Sequence, residues 1–284
     1  MTTPTPPALR DRVLAAALEA RAGGRALPDG PEISPVEAFS RAADAFLGLL
    51  TALPADAWRT PVLRDLDVQG LVGHLTGVED DVQRALAGDD AVVAADHVRS
   101  TQAAAERQAG RSPAATRSDW RTAVERTLAL VDGRRLDAIV RVHGMRLPLG
   151  ALLIARAFEL WTHENDIRLV AELPASVPDA ATLRLMTGLA VRLLPVGVGR
   201  VAGQVLPLDV HLVLTGPGGG TWDVVLGERD TSAEVSEVAI VAEAVSFCRL
   251  VADRIDAREL GAHVTGATAL ASTVLAGAAA LALD

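Results

Sequence analysis

The segment Leu160–Arg168, LWTHENDIR, contains the beginning of a zinc-protease motif without its end. His163 and Glu164 start the pattern H-E-x-x-H, but Ile167 occupies the fifth position, so the second histidine is absent. Four residues before His163 stands Glu159. Positions i and i+4 lie on one face of a helix, close enough for both side chains to hold one ion. The segment therefore offers a carboxylate and an imidazole as a pair of metal ligands.

The surrounding residues 149–170 are apolar on almost all sides and predict a buried helix. Arg156, Glu159, His163 and Asp166 follow one another by three or four residues and form a single polar stripe on it. A surface pair between Glu159 and His163 would account for the spacing without a metal. A buried carboxylate beside an imidazole is costly unless it is paired or bound to a metal. This helix alone leaves both interpretations open.

A second predicted helix, residues 66–86, supplies another histidine, His74. It borders an apolar face whose members recur at spacings of three and four, namely Leu71, Leu75, Val78, Val82 and Leu86. Gly70, Gly73 and Gly77 surround it and would allow another helix or a ligand to approach closely. A lone histidine at such a position is more often a core residue. Together with Glu159 and His163, however, it makes three ligands and leaves a fourth tetrahedral position open, as in catalytic zinc sites.

The other four histidines are predicted to be structural. His97 falls in a polar loop, His143 in a turn before a glycine, His211 in an alternating strand and His263 near a strand. The lone cysteine, Cys248, is interpreted as a small core residue in a helix.

Hydrophobic periodicity predicts an α+β chain of two domains after an N-terminal extension over residues 1–33. A first helix begins with Ser34 as its cap and Pro35 at its first position, and it ends before Pro54. Further helices are predicted at residues 66–86, 120–131 (with an earlier segment at 101–108) and 149–170. Together they predict an antiparallel four-helix bundle over residues 34–172.

After Pro178 the pattern changes to that of a smaller α+β domain over residues 178–284. A helix at 181–197 precedes strands at 206–216 and 221–228, which flank a glycine-rich turn and resemble a hairpin. A third strand at 235–242, a helix through Cys248 to residue 255, a short segment at 262–266 and an alanine-rich helix complete the chain.

Composition excludes several classes of protein. The net charge is −9 and no basic run is interleaved with aromatic residues, so nucleic acid is not an expected partner. One cysteine rules out an internal disulfide framework and fits a reducing cytoplasm. The first residues lack the apolar core of a signal peptide, and the apolar tail is too short and weak to span a bilayer. We therefore expect a soluble, cytoplasmic protein with no membrane partner.

Three segments resemble one known family. The stretches DLDVQGLVGHLTGVE, FELWTHENDIR and FCRLVADRIDARELGAHVTGATALASTVLAGAAALALD are similar to the maleylpyruvate isomerase-like, mycothiol-dependent members of the DinB superfamily. The combination of G-H-L-x-G on one helix with E-x-x-x-H on another is fairly specific. The resemblance implies a DinB-like four-helix bundle that binds a divalent metal, usually zinc, and a C-terminal domain like sterol carrier proteins. It implies His74, Glu159 and His163 as the metal ligands.

The same resemblance implies an enzyme that uses mycothiol as a thiol cosubstrate. Its metal would activate the thiol for transfer to an electrophilic small molecule or for cis–trans isomerisation of that molecule. Asp166 is then expected to fix the tautomer of His163. Arg156 is expected to bind a carboxylate of the thiol or substrate, with an ion pair to Glu159 or Asp166 as the alternative.

Two other functions are alternatives for this sequence. The first is a non-catalytic module, stabilised by metal, that binds a small molecule or a protein. The second is a zinc hydrolase with Glu164 as its base. The hydrolase is disfavoured because each helical residue turns by about 100°, so Glu164 would point away from a metal on His163.

Overall fold

The computed structural model describes residues 32–203, 206–227 and 236–282. These residues contain eight α-helices and three small sheets, so the predicted α+β class is confirmed. They divide into two compact units, Glu32–Leu189 and Ala190–Ala282. The predicted domain bounds, 34–172 and 178–284, stay a prediction, and all but the last two residues of the predicted extension over 1–33 lie outside the described residues.

The first unit is mainly helical. Its helices are α1 (Pro35–Ala52), α2 (Val68–Leu86), α3 (His97–Gln108), α4 (Pro113–Val131), α5 (Leu149–Val170) and the first part of α6 (Ala180–Ala202). Two-stranded antiparallel hairpins precede α2 and α5, namely β1 (Pro61–Leu63) with β2 (Leu66–Asp67), and β3 (Ile139–Val142) with β4 (Met145–Pro148). Short 3₁₀ turns cover Ala57–Arg59 and Asp90–Val92.

Side-chain caps fix where four of these helices begin. Ser34, Asp67, Asp96 and Ser112 each accept a hydrogen bond from the backbone N–H three residues later. The cap at Asp96 starts α3 at His97, so the prediction that His97 lies in a loop was wrong. The cap at Ser112, with Pro113 behind it, starts α4 earlier than the predicted residue 120.

Helix α2 occupies the middle of this unit. It packs against α3 on one side and α4 on the other, while α1 packs against α5 and α4. The core contains large apolar side chains from α1, α2, α4 and α5 and from the 3₁₀ turn at Ala57–Arg59, among them Phe39, Phe46, Trp58, Leu71, Leu75, Trp120, Leu152 and Leu160. The predicted apolar face of α2 is confirmed at Leu71, Leu75, Val78 and Val82, each no more than 2% exposed.

The second unit is built on a four-stranded sheet. Strands β5 (Leu208–Thr215) and β6 (Gly220–Leu226) form the predicted antiparallel hairpin, and β7 (Ser236–Glu243) lies parallel to β5 on its other edge. Strand β8 (His263–Gly266) pairs antiparallel with β7. Helices α7 (Ala244–Val251) and α8 (Thr268–Ala279) complete the unit, in which Cys248 is fully buried, as predicted. Burial raises the pKa of its thiol.

Helix α6 is long and apolar enough to cross a membrane by length and composition. Mostly buried core helices of soluble proteins meet the same criterion, so one such helix is weak evidence for a membrane segment.

Two glycines of α2 allow α3 to approach it closely. A Cβ atom built on Gly73 would lie 2.8 Å from the Cα of Ala105, and one built on Gly77 would lie 2.8 Å from the Cβ of Ala104. Both distances are shorter than real contacts allow, so any side chain there must push the helices apart. The predicted close approach at these two glycines is therefore confirmed, and the partner is α3.

Replacement of Gly73 by alanine should lower the free energy of unfolding by about 1–3 kcal/mol, as overpacking of a tight contact does. Gly48 is the matched control, since it is an exposed glycine of α1 with open space where a Cβ would stand. Gly48→Ala should raise stability by roughly 0.5–1 kcal/mol, because alanine is the better helix former. Urea denaturation measures both changes. Equal effects at the two sites would contradict the close packing of α2 on α3.

Candidate metal centre

The inner helices α2 and α5 bury an unusual set of polar side chains. His74, Glu79 and Asp81 on α2 are at most 4% exposed, and Arg156 and His163 on α5 are at most 2% exposed. Charged groups are rarely buried unless they are paired or bind a metal. The interior of the first unit is therefore built around ionisable groups as well as apolar ones.

Three potential ligand atoms converge in this interior. Nε2 of His74 lies 3.7 Å from Oε1 of Glu159, and Nε2 of His97 lies 3.4 Å from the same oxygen. The ligand atoms of these three residues all fall within 4.8 Å of one another. Nε2 of His74 and Oε1 of Glu159 are buried and have no hydrogen-bond partner, so the short distances are not hydrogen bonds.

The other ring nitrogen of His74 fixes its tautomer. Nδ1 lies 2.6 Å from the hydroxyl oxygen of Thr101, which itself donates to the carbonyls of His97 and Val98. The hydroxyl therefore accepts from Nδ1–H, and Nε2 carries the lone pair that faces Glu159. Burial, assisted by the neighbouring rings of His97 and His163, lowers the pKa of His74 from 6.5 to about 2. The ring is neutral near pH 7, the form that binds metals.

His163, the third ligand implied by the resemblance, lies beside this group. Its ring centroid is 6.0 Å from that of His74, at an interplanar angle of 89°. Its Nδ1 lies 3.0 Å from Oδ2 of Asp166, the contact on which the predicted role of Asp166 depends. Because a carboxylate only accepts, Nδ1 carries the hydrogen and Nε2 carries the lone pair. His163 as a ligand stays a prediction, since the convergent set consists of His74, His97 and Glu159.

His97 and His143 were both interpreted as structural, yet the structure brings them to this group. Nδ1 of His97 lies 3.1 Å from Nδ1 of His143, and Nε2 of His143 lies 2.9 Å from Oδ2 of Asp81. Burial alone would raise the pKa of Asp81, but hydrogen bonds from His143 and Ser100 outweigh it and lower that pKa. The sequence carried one signal for His97, the capping aspartate at position 96.

Arg156 is held between two carboxylates. Its Nε and one terminal nitrogen donate to Oε1 of Glu79 at 3.0 and 2.9 Å, and its other terminal nitrogen donates to Oε2 of Glu159. Oε2 of Glu79 accepts from the hydroxyl of Thr127 at 2.7 Å. The structure thus realises the ion pair with Glu159 that was the alternative for Arg156. Its predicted contact with a substrate carboxylate stays a prediction.

These residues fit a divalent cation. Glu79 and Glu159 carry two negative charges against the single positive charge of Arg156, which leaves one negative charge where Oε1 of Glu159 meets two imidazole nitrogens. An uncompensated buried charge of this kind is costly. Imidazole and carboxylate together are the ligand types that zinc and similar metals take.

Glu164 does not join the group. Its Oε1 accepts from Nε of Arg168 at 2.7 Å, and the side chain is 4% exposed. A base for a hydrolase at this position would first have to break that ion pair. The geometry agrees with the helical turn that disfavoured the hydrolase from the sequence.

A groove of about 550 Å³ runs along the start of α2. It is lined by the β1–β2 hairpin and by residues of α2 and α3, among them Arg59, Arg64, Gln69, Gln102 and Glu106. None of the predicted metal ligands lines it. Arg64 nevertheless contributes to lowering the pKa of His74, after burial and the neighbouring charges.

Arg156→Met should lower the free energy of unfolding by about 3–5 kcal/mol, because it leaves Glu79 buried without its cation. Arg121 is the control, since it pairs with Glu125 on α4 while both side chains are more than half exposed. Arg121→Met should change stability by no more than about 1 kcal/mol. Chemical denaturation of both variants checks the difference, and a small effect of Arg156→Met would contradict the electrostatic role given to Arg156.

The residues of this site lie in a region that matches a known protein family. Residues 39–168 match the family model described as the mycothiol maleylpyruvate isomerase N-terminal domain. Two crystal structures of the mycothiol-dependent maleylpyruvate isomerase, one of a mutant with a histidine replaced by alanine, share the fold with a TM-score of 0.54 at 14% sequence identity. Each alignment covers 82% of this chain and 92% of the isomerase chain. No curated protein matches significantly. Residues 39–168, which contain the whole candidate site, thus match the mycothiol maleylpyruvate isomerase N-terminal domain model, and the resemblance drawn from the sequence is confirmed.

Proposed function

We propose that this protein is a soluble, cytoplasmic enzyme that uses a divalent metal, zinc in the first place, to activate mycothiol. The activated thiol acts on an electrophilic small molecule, by transfer or by cis–trans isomerisation. The metal is held by His74, Glu159 and His163. The first unit serves as a DinB-type four-helix bundle, and the second serves as a small domain like sterol carrier proteins.

The observation that carries the proposal is the convergence of unpaired ligand atoms around Oε1 of Glu159. Buried nitrogen and oxygen atoms normally have hydrogen-bond partners. Nε2 of His74 and Oε1 of Glu159 have none and lie 3.7 Å apart. A metal between them would satisfy both atoms and offset the excess negative charge beside Arg156.

The chain's own residues orient the ligands. Thr101 and Asp166 hold Nδ1–H of His74 and of His163, so that each ring presents Nε2. Arg156 binds Oε2 of Glu159 and leaves Oε1 to the centre. A divalent metal bound there would deprotonate a coordinated thiol near neutral pH.

In the isomerase form of the proposal, the thiolate sulfur adds to one carbon of a conjugated cis double bond. The displaced electron pair moves to the conjugated carbonyl oxygen, and the former double bond rotates as a single bond. Return of the electron pair expels the thiolate and restores the double bond in the trans form. The thiol is regenerated, so the step needs no oxidant or reductant. In the transferase form, the enolate is protonated and the sulfur stays attached.

Titration of mycothiol into the zinc-loaded protein should give saturable heat by calorimetry, and His163→Ala should greatly reduce this heat because the metal that binds the thiol loses a ligand. Glu164→Gln is the matched control on the same helix. Its carboxylate pairs with Arg168, so this variant should retain thiol binding. Addition of maleylpyruvate as a test electrophile, followed by ultraviolet absorption, then separates isomerisation from thiol transfer.

No binding of mycothiol by a zinc-loaded wild type would overturn the thiol-dependent function. That result would leave the non-catalytic, metal-stabilised binding module as the better account.

Asp166→Asn should weaken zinc affinity by roughly 10–100-fold, as the loss of a hydrogen-bond partner of a ligand histidine does. Asp137→Asn serves as the control, because Asp137 pairs with Arg135 on an exposed turn. Competition with a chromophoric chelator measures both affinities. Equal zinc affinities of the two variants would contradict a role of Asp166 at the metal centre.

A further inference from the structure

We infer that His97 is an additional protein ligand of this metal, and that His143 and Asp81 are positioning residues that hold it in the ligating tautomer. The inference rests on the proposed metal site and extends it by three residues outside the predicted ligand set. It follows from a continuous row of side chains, Asp81–His143–His97–Glu159, that joins α2 to α5 through α3 and the β3–β4 hairpin.

The row begins at a carboxylate, which can only accept a hydrogen bond. Oδ2 of Asp81 lies 2.9 Å from Nε2 of His143, so Nε2–H of His143 donates to it. Both side chains are at most 6% exposed, and the hydroxyl of Ser100 lies 3.3 Å from the same nitrogen. In the neutral form of the His143 ring, a hydrogen on Nε2 leaves an acceptor at Nδ1.

The contact between His143 and His97 then determines the tautomer of His97. Nδ1 of His97 lies 3.1 Å from Nδ1 of His143, with the ring centroids 4.8 Å apart and steeply inclined. Because His143 accepts at this nitrogen, His97 must donate its Nδ1–H. The lone pair of His97 then lies on Nε2, the atom that is 3.4 Å from Oε1 of Glu159.

The backbone holds His143 in place for this contact. His143 and Gly144 form the two-residue turn between β3 and β4, with φ of 50° and 73°. Positive φ at both positions is typical of a type I′ hairpin turn, which favours Asn-Gly; histidine is among the few other residues enriched at positive φ. The N–H groups of both residues donate to the carbonyls of Val92 and Val93 at 2.9 and 2.7 Å. The turn is therefore anchored at both residues.

His97 as a metal ligand changes the number of protein ligands at the centre. His74, Glu159 and His163 alone give the three-ligand set of a catalytic zinc site with one open position. With His97, four protein side chains would hold the metal, and a bound thiol would add a fifth ligand, a number to which catalytic zinc sometimes expands in the transition state. A site of this kind holds its metal more tightly than the three-ligand form.

The test uses the full chain titrated with Co²⁺ alone, whose visible absorption reports the number and type of its ligands. His97→Ala should weaken Co²⁺ binding by more than about 100-fold and change the spectrum, since a direct ligand costs more than the roughly 10–100-fold of an outer partner. His143→Asn should weaken Co²⁺ binding by the smaller factor, roughly 10–100-fold. Asparagine suits the turn, so this variant removes the ring and keeps the backbone conformation.

A second readout is independent of affinity. In the zinc-loaded wild type, nitrogen NMR of labelled histidine should show His97 with its hydrogen on Nδ1, and His143→Asn should disturb this assignment. A hydrogen on Nε2 of His97 in the zinc-loaded protein would overturn the inference, even if His97→Ala did not fold. His211→Ala removes a histidine of the other unit and should leave Co²⁺ binding unchanged.

The outcomes separate the two proposals. Wild-type affinity and spectrum in His97→Ala would overturn the role of His97 and leave the thiol-dependent function standing. Failure of the wild type to bind any divalent metal would overturn both.

Discussion

The geometry of the candidate site depends on one buried electrostatic contact, the guanidinium of Arg156 between Glu79 and Glu159. This contact joins the central helix α2 to α5 through charged side chains, whereas buried helices more often contact each other through apolar side chains. Such contacts are poor sources of stability, because desolvation offsets much of the attraction. Their value here lies in position: Arg156 fixes one oxygen of Glu159 and directs the other toward His74. The buried ion pair therefore contributes little to stability, but it orients the carboxylate of Glu159.

A second constraint is the distance between α2 and α3. Helices that meet at glycine approach more closely than helices that meet at leucine, and Gly73 and Gly77 leave no room for a Cβ atom. The approach brings the Thr101 hydroxyl to 2.6 Å from His74 and places the start of α3, with His97, at the same centre. The glycines therefore serve the site even though they carry no chemistry. Their low helix propensity is the cost of that geometry.

Helices with a periodic pattern of apolar residues are predictable from the sequence, whereas contacts between residues that only the fold brings together are not. Helices α1 and α2, which carry apolar stripes, and α5, which is apolar on almost all sides, were predicted within about two residues of their bounds. The polar residues spaced along α5 were identified as well. Helix α3 buries only small or polar side chains, Thr101, Ala104, Ala105 and Gln108, so no stripe marks it. His97 sits at its first position, where the cap at Asp96 is the only local signal. The contacts of His143 join residues that are 46 and 62 positions apart in the sequence, so no local spacing pattern predicts them.

The β3–β4 turn shows how local conformation and site geometry become linked. His143 takes a positive φ, which costs most residues energy that glycine and asparagine avoid. A turn built for stability alone would favour Asn-Gly. Histidine forms the same turn and adds a ring that reaches both Asp81 and His97. The backbone hydrogen bonds to Val92 and Val93 anchor the turn, and the contact with the carboxylate on α2 sets the tautomer of the ring. The hairpin therefore positions His143 so that its contact with Asp81 determines which nitrogen it presents to His97.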